Sequence, residues 1–274
     1  MLKMNFFDQA PYLEYYGGGD CTYFEFPNGQ NMLLDITTKQ AAGTVIEQLL
    51  DRKVKQIDYF VVSHLHRDHT GGFAELAEKI PVKQIILSGY GFQSIEADTT
   101  FLETVEKKKI PMRQVRMGDE LSVGDVHFQF LFPPKGIPEV SPELPYVEQE
   151  INSNVYSLVF RMEYGKFSAL FTGDIYAKAE NQLEQQYGRK LASTLYKIPH
   201  HGNDTSSPDF AIETVKPQIA VTMSRSCDWK VQKNFTNAGI PVYGPFYDGT
   251  VAVETDGVTM RVECGKGSCQ FPLI

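Results

Sequence analysis

The sequence predicts an α+β fold in which two β-sheets pack face to face with helices on the outside, in one domain over residues 1–274. Three observations predict it. Strand and helix patterns are mixed along the chain, both ends are β-rich, and His and Asp residues stand just past predicted strand ends at 64–69, 174 and 200–201.

The elements follow in order. Asn5 to Asp8 reads as a strand, Gly17-Gly18-Gly19 as a turn, and Cys21 to Phe26 as a second strand. A turn over Phe26 to Asn31, marked by Pro27 and Asn28-Gly29, leads to a third strand, Met32 to Ile36, so the chain opens as a β-meander. Lys39 to Lys53 carries Val45, Ile46, Leu49 and Leu50 at helical spacing, with Thr37 and Thr38 as cap candidates. Ile57 to Val62 is a buried strand that delivers the run Ser63 to Gly72. A short helix over Phe73 to Ile80 is stopped by Pro81; strand Val82 to Leu87 and a helix over Thr99 to Lys109 come next. Gln114 to Phe132 holds two strands that meet near Val123-Gly124-Asp125. Pro133-Pro134 then opens a long stretch to Glu150, containing Gly136, Pro138, Pro142 and Pro145, which reads as a substrate lid or as a surface insertion.

Asn154 to Met162 and Lys166 to Phe171 read as a hairpin turning at Tyr164-Gly165, and Thr172-Gly173-Asp174 ends its second strand. A helix over Ala177 to Tyr187 and a strand over Leu195 to Pro199 lead to His200-His201-Gly202. Ser206-Ser207-Pro208-Asp209 is a helix start, with Pro at the first helical position. Strand Ile219 to Met223, helix Trp229 to Ala238 and strand Val242-Tyr243 follow, and the closing strands turn at Asp248-Gly249 and Asp256-Gly257. No repeat of solenoid period and no low-complexity tract interrupts the pattern.

The chain is long enough to bury a substantial core without staples. A net charge of -8 and a pI near 5.3 argue against a broad basic face for gripping nucleic acid. No apolar run of about twenty residues and no N-terminal apolar leader is present, so no membrane span is expected and the cytoplasm is the simplest location. Cys21, Cys227, Cys264 and Cys269 form no CxxC pair and are expected as free thiols, although Cys264 and Cys269 could close a small loop. Oligomeric state is not legible.

Chemistry concentrates in Ser63-His64-Leu65-His66-Arg67-Asp68-His69-Thr70-Gly71-Gly72, where half of the six histidines fall within six residues. Imidazole and carboxylate are ligands common to Zn, Mn and Fe. In an extended segment His64 and His66 face one side, and Asp68 and His69 follow as the loop bends away, which suggests two metal sites. The two oxygens of Asp174 suit it to join two cations; the plainer reading is a turn residue after Gly173.

His64-x-His66-x-Asp68-His69 with Gly71-Gly72, then Phe171-Thr172-Gly173-Asp174, then His200-His201-Gly202, resembles the metallo-β-lactamase superfamily. Gly19-Asp20, Asn154-x-x-Ser157-Leu158-Val159, Leu170 to Asp174, and Lys197 to Gly202 followed by Thr205-Ser206-Ser207 are similar to the hydrolase domain of the competence protein ComEC, and the likeness spans roughly residues 5 to 260. The resemblance implies a four-layer αββα sandwich with two divalent metal ions between its sheets, Zn2+ ahead of Mn2+. It implies His64 and His66 on the first metal, Asp68 and His69 on the second, and Asp174 as the bridge. One of His200 and His201 completes the second site and the other supports it or faces substrate; Gly202 favours His201 as the ligand. Asp68, His200 and His201 are then the catalytic candidates, and Asp35 and Asp20 are expected either to hold ligand histidines or to serve as turn carboxylates.

Two departures matter. Many members place a further histidine on the first metal before the bridging Asp; here only His127 falls there, alternating with apolar residues like an ordinary strand residue, and Asn154 supplies a weaker amide oxygen instead. Where competence-like domains carry Gly-His-Pro, this chain has Arg225-Ser226-Cys227-Asp228-Trp229. The resulting expectation is an enzyme, a hydrolase that cleaves a phosphate ester with a metal-activated hydroxide in the manner of a phosphodiesterase or nuclease, its substrate a small-molecule or nucleotide phosphate ester. The alternatives are hydrolysis of a lactam, lactone, thioester or phosphocholine ester, an oxygen- or nitric-oxide-reducing di-iron enzyme, and a non-catalytic metal-binding module.

Overall fold

In the computed structural model the described residues are 1–10, 19–95, 97–223, 227–267 and 269; Gly17, Gly18, Arg225 and Ser226 lie outside them. The first half of the chain supplies β1 (Leu2–Phe6), β2 (Thr22–Glu25), β3 (Asn31–Leu34), α1 (Ala42–Asp51), β4 (Tyr59–Val62), α2 (Arg67–Thr70), α3 (Phe73–Lys79), β5 (Ile85–Leu87), α4 (Thr99–Lys108) and β6 (Met112–Gln114). The second half supplies β7 (Glu120–Val123), β8 (Val126–Phe132), α5 (Tyr146–Val155), β9 (Val159–Tyr164), β10 (Phe167–Phe171), α6 (Ala177–Tyr187), β11 (Leu195–Lys197), α7 (Asp209–Val215), β12 (Ile219–Val221), α8 (Trp229–Asn237), β13 (Val242–Tyr243) and α9 (Pro245–Asp248). The chain then returns through β14 (Val251–Thr255) and β15 (Met260–Cys264).

The strands order as β15-β14-β1-β2-β3-β4-β5-β6 in one sheet and β13-β12-β11-β10-β9-β8-β7 in the other. Each sheet is antiparallel on one side and parallel on the other. Helical crossovers make β3 to β6 parallel in the first sheet and β10 to β13 parallel in the second. Parallel neighbours end at the same edge. The loops after β3, β4, β10 and β11 therefore leave from carboxyl ends, where crevices form in sheets of this kind.

Alternation of side chains along the strands separates three cores and so produces the four αββα layers. On β4, Val61 faces the opposite sheet, whereas Phe60 and Val62 face α1, α3 and α4. On β10, Ala169 and Phe171 point between the sheets and Leu170 points out to α6, α7 and α8. Phe171 anchors the middle layer, its ring centroid 5.1 Å from Phe160, 5.3 Å from Phe24 and 6.2 Å from Phe6. Full burial of each such ring is worth on the order of 2 kcal/mol.

Several local expectations change. The stretch from Pro133 to Glu150 is neither a free lid nor plain loop: Pro145 leads into α5, and Gln149 ties that helix to Pro142 O, Leu144 O and Ile95 N. Asn154 consequently lies in the last turn of a helix, not at the start of a strand. The Asp248-Gly249 turn does not join a hairpin, since β13 and β14 belong to different sheets. Cys264 and Cys269 are not free; with Cα atoms 5.2 Å apart, a separation suited to a bridge, they form a disulfide, while Cys21 and Cys227 remain free and buried. Neither Thr37 nor Thr38 is the cap of α1: Ala41 holds that position without a side-chain cap, and Thr38 Oγ1 accepts from Ala41 N in the turn that precedes the helix. No described helix is long and apolar enough to cross a membrane.

Candidate metal centre

The site forms where the parallel parts of the two sheets present their carboxyl ends to each other. β4 ends at Val62 and sends Ser63 to His66 into an extended segment, after which α2 carries Asp68 and His69. β10 ends at Phe171 and Thr172-Gly173 turns Asp174 inward. β11 ends at Lys197, and a one-turn 3-10 segment over Pro199–Gly202 presents the two histidines. His200 (φ 47°) and His201 (φ 53°) both occupy the left-handed region, as do Asp35 (φ 58°) and Thr37 (φ 49°) after β3. Each such residue costs on the order of 1 kcal/mol, and their concentration here marks a backbone shaped for the site and not for stability.

Asp68, His69, Asp174 and His201 form one group whose ligand-type atoms lie within 4.8 Å of one another; His64, His66 and Asp68 form a second. His201 Nε2 stands 3.1 Å from Asp174 Oδ2 and 3.3 Å from Asp68 Oδ2, and His69 Nε2 stands 3.2 Å from Asp174 Oδ2. The rings of His64 and His69 are 4.1 Å apart and those of His64 and His66 4.5 Å apart. The sequence-predicted residues His64, His66, Asp68, His69, Asp174 and His201 are thus brought together. His200 stands aside: its Nδ1 meets Thr205 Oγ1 at 2.6 Å, and its ring packs 4.9 Å from that of Tyr176. His127 lies exposed on β8, its Nδ1 2.9 Å from Ser122 Oγ. A cavity of about 510 Å3 adjoins His127 on β8, Arg161 on β9 and Arg189 after α6, and shares no residue with the cluster.

A layer of carboxylates orients the histidines. Asp35 Oδ2 stands 2.8 Å from His69 Nδ1, and Asp35 also accepts from Ser63 N and Ser63 Oγ. Asp20 Oδ1 stands 3.2 Å from His201 Nδ1. Asp35 claims the Nδ1 side of His69 by a hydrogen bond, whereas Asp20 lies beside His201 Nδ1 as a charge contact without hydrogen-bond geometry; in both histidines Nε2 is turned to the cluster. Lys197, buried at 2% exposure, pairs with Asp20, donates to Gly173 O and lies 4.0 Å from Asp174 Oδ1. Sequence reasoning missed Lys197, Ser63 and Tyr176; a lysine in an apolar strand two residues before a Pro-His-His turn was the available signal for the first.

The electrostatics follow from burial and proximity. Burial works against charge on Asp68 and Asp174, but His69 and His201 beside them hold both carboxyls below the ordinary range. Burial opposes charge on His69 and His201 as well, and Asp174, aided by Asp68 and Asp35 for His69 and by Asp20 for His201, lifts both imidazoles well above theirs. His64 and His66 are pushed down, by burial first and by His69 also, and so present neutral rings. Positive charge is drawn to a point among the acids, as a proton or as a divalent cation.

The donor set fits metal. His64 Nε2, His66 Nε2, Asn154 Oδ1 and Asp174 Oδ1 are buried and have no hydrogen-bond partner, although buried polar atoms are nearly always paired. His64, His66 and Asp174 belong to the two groups, and their imidazole nitrogens and carboxylate oxygens could hold two divalent cations. Charge balance agrees. Asp20, Asp35, Asp68 and Asp174 face Lys197 and the protonated His69 and His201, and cations held at the two imidazoles would supply the positive charge that those protons supply in their absence.

Residues 15–185 match the Metallo-beta-lactamase superfamily. The chain is 29% identical over 177 residues to ComE operon protein 3 of Bacillus subtilis (strain 168), an alignment covering 65% of this chain and 21% of that protein. It is 31% identical over 196 residues to Competence protein ComA of Neisseria gonorrhoeae, covering 71% of this chain and 24% of the relative. Matched segments thus span about a quarter or less of those relatives. Among solved structures, the metallo-beta-lactamase fold protein YhfI from Bacillus subtilis matches with a TM-score of 0.56 at 10% identity, over 95% of this chain and 99% of that one, a likeness of fold alone.

Proposed function

The chain belongs to the metallo-β-lactamase superfamily of metal-dependent hydrolases, and from that premise we propose that it is a dinuclear phosphate-ester hydrolase, with a phosphodiester as the favoured substrate class and Zn2+ ahead of Mn2+ as the metal. One observation carries the metal reading: His64, His66 and Asp174, members of a cluster rich in carboxylate, each have a buried ligand atom with no hydrogen-bond partner, as does Asn154. His64 and His66, with Asn154 as a weaker ligand, would hold one cation; Asp68, His69 and His201 the other; Asp174 both. When bound, the two cations lower the pKa of a water toward neutrality and offset charge that develops on the reacting oxygen.

The remaining roles belong to the protein's own groups. Asp35 holds a proton at His69 Nδ1, which fixes tautomer and ring direction, and the Asp20 carboxylate favours positive charge on the nearby His201 ring. Lys197 balances Asp20 and keeps it from competing for the cations. His200, fastened by Thr205 and packed against the Tyr176 ring, is the histidine left to face the substrate in this reading. The cationic centre suits a phosphate anion, and the resemblance to the hydrolase domain of ComEC favours a phosphodiester; the matched segments are about a quarter or less of ComE operon protein 3 and Competence protein ComA.

The test is a panel of chromogenic phosphomono- and phosphodiesters assayed with Zn2+ and with Mn2+, alongside metal analysis. About two equivalents of metal with chelator-sensitive phosphodiesterase activity support the proposal. Turnover of a lactone, lactam, thioester or phosphocholine ester alone moves the substrate class, iron with redox colour points to a di-iron enzyme, and two metals with no turnover of any ester leaves a metal-binding module.

A further inference from the structure

The side-chain contacts of Tyr176 tie it to the site. Its ring lies 4.9 Å from the His200 ring at an interplanar angle of 30°, and its hydroxyl oxygen accepts from Asn154 Nδ2 at 3.0 Å. The backbone fixes its place. Tyr176 is the cap residue of α6, two positions after Asp174, and its carbonyl accepts from Ala179 N at 2.8 Å and Glu180 N at 3.1 Å. Accepting from Asn154 occupies a lone pair and directs the phenolic O–H away from that amide. Among the described residues, no hydrogen bond donated by this O–H is formed. The half-buried phenol therefore has a committed oxygen and an uncommitted proton, between Asn154 and the His200 ring.

We propose that Tyr176 donates this hydrogen bond to a non-bridging oxygen of the substrate's phosphoryl group, an inference that rests on the phosphate-ester reading above. In the hydrolysis, the water oxygen bonds to phosphorus and the bond from phosphorus to the ester oxygen breaks. The departing oxygen takes up a proton released by the water, so that diester and water give monoester and alcohol. Tyr176 keeps its own proton throughout. Its donation strengthens as charge gathers on the non-bridging oxygen, which is the condition for lowering the barrier and not merely binding the substrate. Asn154 holds the phenol from one side and the His200 ring from the other, so the donor is set before substrate arrives.

Tyr176→Phe keeps the ring on His200 and removes only the O–H. Metal-loaded wild-type protein and the variant are compared on bis(p-nitrophenyl) phosphate, with metal content and Tm measured on the same preparations. The expected result is a kcat lower by about a hundredfold, with KM changed less than about threefold and metal content equal to wild type. An unchanged kcat overturns the inference. So does a loss that appears as a rise in KM alone, or one that follows loss of metal and is restored by added metal, since Tyr176 would then only tie Asn154 in place. Wild-type protein that binds metal but cleaves no phosphate ester overturns the phosphate-ester reading and this inference together, whereas an active wild type matched by Tyr176→Phe sinks this inference alone.

Discussion

Asp35 and His69 meet through Oδ2 and Nδ1 at 2.8 Å with both side chains almost fully buried, and they come from the ends of neighbouring parallel strands. Because β3 and β4 end together, a carboxylate just past one reaches the histidine loop past the other. Asp35 is held in turn by Ser63 N at 2.8 Å and Ser63 Oγ at 2.7 Å, so its direction is set before it meets the ring.

Asp35→Asn should therefore weaken metal binding without removing a metal ligand. The amide no longer attracts the Nδ1 proton as a carboxylate does, and supporting groups of this kind are worth about ten- to a hundredfold in metal affinity. Asp20→Asn should act in the same direction, by removing the charge beside His201. Competition titrations with a chromophoric chelator measure both; affinities equal to wild type would show that neither carboxylate supports its histidine.

Gly19 lies against the metal-binding loop. A Cβ built there would stand 1.5 Å from Asp68 O and 2.9 Å from Thr37 Cα, both backbone, and Gly19 N is bonded to Gln9 Oε1 and Thr37 Oγ1 at 3.0 Å. Gly19→Ala must push the Asp68 loop out of place, at a cost of about 1–3 kcal/mol in stability. Metal content and activity should fall with it, and a variant with wild-type Tm and metal content would contradict the packing described.

Metal should stabilise the fold. Cations that bind only the folded chain add RT ln(1 + [M]/Kd), about 2.7 kcal/mol at a hundred times Kd. For a chain of this size that raises Tm by about 5–10 °C. Thermal melts across a series of free Zn2+ concentrations, set with a buffered chelator, measure the slope; a Tm independent of metal would count against the compensation of Asp20, Asp35, Asp68 and Asp174 by bound cations.

The share of this that was legible in the sequence follows from where each residue sits in the chain. His64, His66, Asp68 and His69 are nearly consecutive past an apolar strand, so their convergence is local and readable. Asp174 and His201 were readable because each follows a strand and a glycine marks its turn. Choosing between His200 and His201 needed backbone dihedrals, since adjacent left-handed residues send their rings in different directions. Helix α5 was hidden because its buried positions include polar Gln149, Ser153 and Asn154 while Val147 and Ile151 stay exposed, the reverse of the usual amphipathic pattern. Lys197 was hidden for a related reason: a charged residue in a strand is read as solvent-facing until its buried partners Asp20 and Asp174 are seen across the sheets.

Away from the cluster, Glu180 should give the stability a pH dependence of known sign. Its carboxyl is 5% exposed on α6, accepts from Tyr196 OH and from Ser207 N at 2.7 Å each, and burial, against these two hydrogen bonds, raises its pKa to about 7. The unfolded chain ionises this group near the ordinary glutamate value of 4.5. Between those values the folded form keeps a proton that the unfolded form has released, so stability is fully present below the lower one and falls as pH rises toward the upper. The slope is about 1.4 kcal/mol per pH unit, or about 3 kcal/mol in all. Glu180→Gln mimics the protonated acid, its oxygen free to accept from Ser207 N and its amide to donate to Tyr196 OH, and should flatten this part of the profile. Urea melts of both proteins between pH 4.5 and 7.5 check it; parallel profiles would mean that Glu180 is ionised in the folded protein throughout.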